Sequence, residues 1–212
     1  MTIDLHEILL GKWEDGTRPK DLYANHISKE PSKYLDSIIK GLTSDQKRIQ
    51  SGCAELASLL SEEKPELLYP HIEMFVSNLD AKEPVLRWEA VCTIGNLVRI
   101  DDSGNVLKHL NTIIAFLDDK SIVLQGHAVR ALIKIVRKHP KSGMQVLDAL
   151  ASAREKFPGN RVGFLVEAMG FFAHLPKERA KALTFAEEYL DSDIKSVATK
   201  ARKAVKVLQE PN

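Results

Sequence analysis

The stretch Ala-Val-Cys-Thr-Ile-Gly-Asn-Leu-Val at residues 90–98 decides the fold. Together with Trp88, its apolar side chains recur at helical spacing and do not alternate as in a strand. The sequence Ala-Val-Arg-Ala-Leu-Ile-Lys-Ile-Val at residues 128–136 repeats this pattern 38 residues later. A helical pattern that returns at such a period is typical of proteins built from stacked helical repeats.

The pattern occurs five times along the chain. It comprises a small or apolar residue, a second apolar residue, and apolar residues four, seven and eight positions after the first. Successive copies are offset by 38, 38, 36 and 33 residues. The predicted core positions are Gly52, Cys53, Leu56, Leu59 and Leu60; Ala90, Val91, Ile94, Leu97 and Val98; Ala128, Val129, Leu132, Ile135 and Val136; Phe164, Leu165, Ala168, Phe171 and Phe172; and Val197, Ala198, Ala201, Ala204 and Val205.

A second apolar segment precedes each copy and is predicted to form a partner helix. These partner helices are expected at 32–42, 66–79, 105–117, 143–155 and 177–190. Proline suits the first turn of a helix, and Pro31, Pro65 and Pro84 each precede an apolar-periodic run. The sequence therefore predicts an all-α fold with repeats at about 31–62, 65–100, 104–139, 143–175 and 177–209.

The turn before residue 90 carries a recognisable motif. An acidic turn at Asp80 is followed by Pro84, Val85 and Arg87, and then by the Ala-Val pair of the repeat. The segment 119–129 is a second copy, with Gln125 in the arginine position, and Arg161 restores the arginine in the next copy. On these residues the chain resembles the HEAT-repeat family over about 31–209. The resemblance implies a right-handed α-solenoid of about five helix pairs, and it says almost nothing about function.

Residues 1–30 stand apart from the repeats. Ile3, Leu5, Ile8 and Leu9 are spaced as in a short amphipathic helix, and the polar residues after them include Trp13. One interpretation is a short N-terminal cap over the first repeat, followed by an irregular linker. The other is a partly disordered arm whose Trp13 anchors a partner.

Composition narrows the class of protein. The chain has 212 residues, 44% of them hydrophobic and 28% charged, as in an ordinary soluble domain. No apolar run approaches the ~18 residues of a membrane span, so no membrane partner is expected. Cys53 and Cys92 lie in apolar helical patterns, which indicates reduced thiols and a cytoplasmic location. Residues 1–105 carry a net charge of −6, from 12 basic and 18 acidic residues, whereas 106–212 carry +7, from 18 and 11.

Sequence motifs for catalysis are missing. There is no glycine-rich phosphate loop, no paired-cysteine spacing, and no pair of histidines at metal-binding separation on a helix. We therefore expect no catalytic residues, no cofactor and no metal. Glu167 is the single carboxylate that we would test as a catalytic group.

The second helix of each pair is expected to line the inner surface of the array. The outward positions on these helices, about three and six residues after each first core position, form what we call the inner row. The candidate partner-binding residues of the inner row are Glu55, Thr93, Asn96, Lys134, Glu167, Lys200 and Lys203. The row changes from acidic to basic along the chain, so a bound ligand would experience a charge gradient.

Basic residues cluster on two of these helices. The candidate basic patch comprises Arg130, Arg137, Lys138, Arg202 and Lys206, beside Lys134 and Lys203 of the inner row. One interpretation is a solvated polar face, and the other is a site for an acidic protein segment or a phosphate backbone. No aromatic residue interleaves with the cluster in sequence, which argues against base stacking.

Three functions remain open from the sequence. The first is a non-catalytic protein–protein interaction scaffold that binds a partner along its inner groove. The second is a nucleic-acid-binding HEAT-like protein, including a relative of the HEAT-like glycosylases that act on alkylated DNA bases. The third is a relative of the phycobilin-related HEAT-like lyases, which nothing in the sequence supports specifically. The oligomeric state is also open.

Overall fold

The computed structural model describes residues 3–210 and divides the chain into two compact units, residues 1–103 and 104–212. No residue from 3 to 210 lies in a β-strand. The predicted all-α fold is therefore confirmed, while the predicted division at residue 30 stays a prediction.

The first unit contains seven α-helices among its described residues. They are α1 (Leu5–Leu10), α2 (Pro19–Leu22), α3 (Pro31–Gly41), α4 (Lys47–Glu63), α5 (Pro65–Leu68), α6 (Ile72–Ser77) and α7 (Pro84–Leu97). A π-helical turn follows α2 at Tyr23–Ile27, and 3₁₀ turns lie at Tyr69–His71, Asn78–Asp80 and Val98–Ile100. Helix α3 packs on α4, α6 packs on α7, and α4 packs along α7.

The second unit repeats this arrangement of helix pairs. Its α-helices are α8 (Leu110–Ala115), α9 (Ile122–Lys138), α10 (Gly143–Ser152), α11 (Val162–Met169), α12 (Pro176–Glu187) and α13 (Lys195–Gln209). Its 3₁₀ turns are Val106–His109, Phe116–Asp118, Pro140–Ser142, Ala153–Lys156, Gly159–Arg161 and Gly170–Phe172. The pairs are α8 with α9, α10 with α11, and α12 with α13.

Local sequence explains where the helices begin and break. Pro31, Pro65 and Pro84 occupy the first turns of α3, α5 and α7, as predicted. Pro70 separates α5 from α6, because a proline inside a helix lacks the N–H donor and clashes with the preceding turn. At the start of α9, the Ser121 hydroxyl accepts a hydrogen bond from the Leu124 N–H at 3.3 Å.

The N-terminal residues pack on the first helix pair. Leu9 of α1 is fully buried, and α1 contacts both α3 and α4. The His6 ring donates from Nε2 to the Ser37 carbonyl at 2.8 Å. The Trp13 indole donates to the Leu9 carbonyl at 3.0 Å, and the Arg48 guanidinium lies 5.6 Å from the centre of the Trp13 ring. Trp13 is therefore half-buried and held by its own chain, an arrangement that gives no support to its role as a partner anchor.

Helices α3 and α4 approach each other at Gly41. A Cβ atom on Gly41 would lie 2.2 Å from the Cys53 Sγ and 2.9 Å from the Cys53 Cβ, both closer than a real contact allows. Glycine at this position therefore sets the distance between the two helices. Burial raises the pKa of the Cys53 thiol to about 12, which keeps this thiol protonated and unreactive at neutral pH.

Candidate functional site

Helices α9, α11 and α13 of the second unit line an open groove. Helix α11 contacts both α9 and α13, so their exposed faces adjoin. A cavity of about 740 Å³ lies among them, and a second of about 300 Å³ extends along α9 and α11. The first is lined by Ile133, Val136, Arg137, Pro140, Glu167, Gly170, Phe171, His174, Leu175, Lys200, Lys203, Ala204 and Val207. We call these two cavities together the basic groove.

Two phenylalanines of α11 and its C-terminal turn lie in the basic groove. Phe164 is 37% exposed and Phe171 is 41% exposed, although large aromatic side chains are normally buried. The Arg137 guanidinium lies 4.3 Å from the centre of the Phe171 ring, and the Lys200 ammonium lies 5.0 Å from that of Phe164. Each ring therefore has a cation over one of its faces.

These phenylalanines correct the predicted repeat register. The offset of 36 residues placed Phe164 and Phe171 in the core, and that assignment is wrong. An offset of 37 from residue 128 places five buried residues in the core positions instead: Leu165, Val166, Met169, Phe172 and Ala173. Val162 then takes the arginine position, although Arg161 still donates from Nη1 to the Gln125 Oε1 at 3.2 Å. The one-residue shift turns both phenylalanines toward solvent.

Cations dominate the rim of the basic groove. The cationic residues that line its two cavities are Arg130, Lys134, Arg137, Lys200 and Lys203, and the single carboxylate among the lining residues is Glu167. The Glu167 Oε2 lies 2.7 Å from the Lys200 Nζ, so this carboxylate is paired. Among the described residues, no carboxylate forms an ion pair with Arg130, Arg137 or Lys203.

The positive charge also acts on a neighbouring histidine. The pKa of His127 is lowered, chiefly by burial and further by the charges of Arg130 and Lys134. His127 is therefore neutral at pH 7, and the cations around it carry the charge of this part of α9.

The structure divides the predicted basic residues into two sets. Lys134, Glu167, Lys200 and Lys203 of the inner row line the basic groove, and so do Arg130 and Arg137 of the predicted patch. The remaining patch residues, Lys138, Arg202 and Lys206, line neither cavity. Arg202 points toward the turn that follows α12, where its Nη2 lies 3.5 Å from the Leu190 carbonyl oxygen.

Two inner-row predictions in the first unit are wrong about exposure. Thr93 is 1% exposed and Asn96 is 8% exposed. The prediction assumed one buried stripe per helix, but α7 is buried at every position from Thr93 to Leu97. Asn96 donates from its amide to the Ser61 Oγ at 2.8 Å and to the Ser58 carbonyl at 3.3 Å, so it joins α7 to α4. Neither side chain is available to a partner.

Glu55, the remaining inner-row residue, lies near a second acidic side chain in the first unit. Burial, followed by the charge of Glu89, raises the pKa of Glu55. Burial also raises the pKa of Glu89, which accepts a hydrogen bond from the Trp88 indole at 3.1 Å. Trp88 itself is half-buried.

The sequence predictions about catalytic chemistry concern metal ligands and the Glu167 carboxylate. Among residues 3–210, no group of three or more His, Cys, Asp or Glu side chains is arranged to hold a metal ion. The Glu167 side chain is exposed and paired with Lys200, which is the condition of a solvated surface group. No helix in this part of the chain is long and apolar enough to span a membrane.

Solved structures share the fold of the chain. An engineered protein aligns with a TM-score of 0.69 over 98% of this chain and 99% of its own, at 17% sequence identity. A designed armadillo repeat protein in complex with the peptide (KR)4 aligns with a TM-score of 0.67 over 97% and 100%, at 17% identity. Computationally designed armadillo repeat proteins for modular peptide recognition align with a TM-score of 0.65 over 95% and 89%, at 18% identity.

These similarities establish the fold class. The chain has the fold of the armadillo-like helical repeat proteins, the α-solenoids. At such low identity they carry no information about which residues act. No protein-family model matches the sequence, and no curated protein matches it significantly.

Proposed function

We propose that the protein is a non-catalytic interaction scaffold that binds a protein segment in the basic groove. The observation that carries this proposal is the pair of exposed phenylalanines in an open groove of about 740 Å³. Exposed apolar side chains in a concave site, surrounded by polar groups, are typical of protein-binding surfaces. The designed armadillo repeat protein with the (KR)4 peptide supports the proposal, because it binds a peptide on the same fold.

The contacts of the aromatic rings favour protein over nucleic acid. Arg137 covers one face of Phe171 and Lys200 covers one face of Phe164, so each ring offers a base at most one face on which to stack. The apolar side chains Ile133, Val136 and Val207 line the same cavity, and a phosphate backbone gains nothing from them.

We further propose that the repeats are of the HEAT type. HEAT repeats contain two helices, whereas armadillo repeats contain three. In the second unit each repeat contains two α-helices: α8 and α9, α10 and α11, or α12 and α13. In the first unit α3 and α4 form a pair as well, while Pro70 divides the helix before α7 into α5 and α6.

A capture experiment with paired variants tests the scaffold function. The wild-type protein, Phe171→Ser and Ile122→Ser are used to capture partners from native lysate after nuclease treatment, with washes at low and high salt. Ile122 is the matched control, because it is exposed, apolar and in the same unit but lines neither cavity. We expect a protein partner that resists nuclease and is lost with Phe171→Ser alone.

Two results would contradict the proposed function. One is a set of partners that binds all three proteins equally, which would place binding outside the basic groove. The other is recovery of nucleic acid at low salt with no nuclease-resistant protein. Circular dichroism of both variants checks that the fold is retained.

A further inference from the structure

We infer that the partner of the basic groove is an acidic protein segment with an apolar anchor residue. This inference rests on the proposed function, and it specifies the chemistry of the ligand. It combines three features of the second unit: unpaired cations at the rim, an apolar floor, and a cavity of suitable size.

The unpaired cations define the charge of the ligand. Arg130 and Arg137 lie seven residues apart on α9, and Lys203 lies on α13 across the groove. No described carboxylate forms an ion pair with any of the three. All three side chains are exposed, so the carboxylates of a bound segment could reach them, and the segment itself would exclude water from the ion pairs that form.

The residue spacing sets the scale of the charge pattern. Seven residues of helix span about 10.5 Å, which is about the length of three residues of an extended chain. A segment that follows α9 would therefore meet Arg130 and Arg137 with carboxylates about three positions apart. Lys203 would meet a carboxylate on the opposite side of the segment.

The floor of the groove requires an apolar group as well as charge. Phe171 and Val207 are 41% and 46% exposed, and they face the same cavity from two different elements. A cavity of about 740 Å³ is within the ordinary range for ligand pockets, so it accepts one or two large apolar side chains. Polyanions without such side chains would leave these apolar surfaces in water.

The residues that line the groove also disfavour a basic peptide as its ligand. A basic peptide such as (KR)4, which the designed armadillo repeat protein binds, would meet five cations and only one carboxylate in this groove. That carboxylate, on Glu167, is already paired with Lys200 at 2.7 Å. The ligand of this chain therefore differs in charge from the ligand of that designed protein.

Fluorescence anisotropy with defined probes tests the inference. The main probe is a fluorescein-labelled dodecapeptide of alternating Glu and Asp around a central Leu-Phe-Leu. Three comparison probes are the same peptide with Lys in place of every acid, the acidic peptide with Ser in place of Leu-Phe-Leu, and single-stranded (dT)12. We expect the main probe to bind at least about tenfold more tightly than each comparison probe.

Two charge-reversal variants distinguish binding in the basic groove from a general effect of the protein's net charge. The double variant Arg137→Glu and Lys203→Glu is expected to bind the main probe at least about tenfold more weakly than the wild-type protein does. Arg202→Glu with Lys206→Glu changes the net charge of the protein equally, but these residues line neither cavity, so an effect below about threefold is expected. Equal weakening by both variants would overturn the inference, as would tighter binding of the lysine peptide, the serine peptide or (dT)12.

The outcome separates this inference from the proposed function. If a captured partner depends on Phe171 but the acidic probe does not bind, the scaffold stands and the acidic assignment is wrong. If the lysine peptide binds and Phe171→Ser abolishes that binding, the groove is a peptide site of the opposite charge preference. If nothing depends on Phe171, both the inference and the proposed function fail.

Discussion

Replacing Ala128 with aspartate is expected to destabilise the second unit by about 3–5 kcal/mol. Ala128 lies in the middle of α9 and is fully buried, at a core position that the repeat pattern predicts. A carboxylate there would lose its hydration without gaining a cation, and an uncompensated buried charge costs about 3–5 kcal/mol. That is a large part of the ~5–15 kcal/mol by which a domain is stable.

Urea unfolding followed by circular dichroism measures this effect. Arg130→Asp is the matched control, because it introduces the same side chain on the same helix at an exposed position. We expect the control to lose no more than about 1 kcal/mol, mostly through helix propensity. An Ala128→Asp protein that unfolds cooperatively with the stability of the control would show that residue 128 is not a core position.

Replacing Gly41 with alanine is expected to destabilise the first unit by about 1–3 kcal/mol. The new Cβ would overlap with Cys53 at both Sγ and Cβ, at 2.2 and 2.9 Å. The Cys53 Cβ is fixed by the α4 backbone, so the helices themselves have to move apart. The direction of the stability change tests the close approach of the two helices. Without an overlap, a glycine-to-alanine change inside a helix normally stabilises a protein by about 0.5–1 kcal/mol.

Gly126→Ala is the control, and it is expected to change the stability in the opposite direction to Gly41→Ala. A Cβ on Gly126 would meet no atom within 4 Å, so helix propensity alone acts and stability should rise. Cys53→Ala in the Gly41→Ala background removes the Sγ overlap and should restore part of the loss. A Gly41→Ala protein more stable than wild type would mean that α3 and α4 are farther apart than described.

The helix pairs could be predicted from the sequence because two independent signals agree there. Apolar periodicity gave the second helices, and prolines marked the starts of α3, α5 and α7. The first helices of each pair were placed to within a few residues, although Pro70 breaks the second of them into α5 and α6. Helix pairing itself follows from the need of each apolar stripe for a neighbour.

The site was harder to predict because an error of one residue in the repeat offset moves its phenylalanines from the surface to the core. Phe164 and Phe171 looked like core residues under an offset of 36, and only burial shows that the offset is 37. A signal was present: Gly52, Ala90 and Ala128 occupy the same position in the earlier copies, where a phenylalanine would be far too large. The interleaving of aromatic residues with cations was missed for the same reason, since it exists between α9, α11 and α13 and not along any one segment.

Charge on a single helix could not be assigned to a face by clustering alone. Lys203 and Val207 of α13 line the groove, whereas Arg202 and Lys206, each one position earlier, do not. One residue along a helix is a rotation of about 100°, so neighbours in sequence serve different surfaces. In the first unit, the predicted exposure of Thr93 and Asn96 was wrong for a related reason. Helix α7 is buried around more of its circumference than the single stripe that the prediction assumed.

Site-specific photo-crosslinking tests most directly the central claim that the basic groove contacts a protein partner. A benzophenone amino acid replaces Phe171 in one protein and Ile122 in another, and each is irradiated with the captured partner. We predict a protein crosslink from position 171, within an acidic stretch of the partner, and none from position 122. Crosslinks from position 122 alone, or to nucleic acid from position 171, would contradict the account.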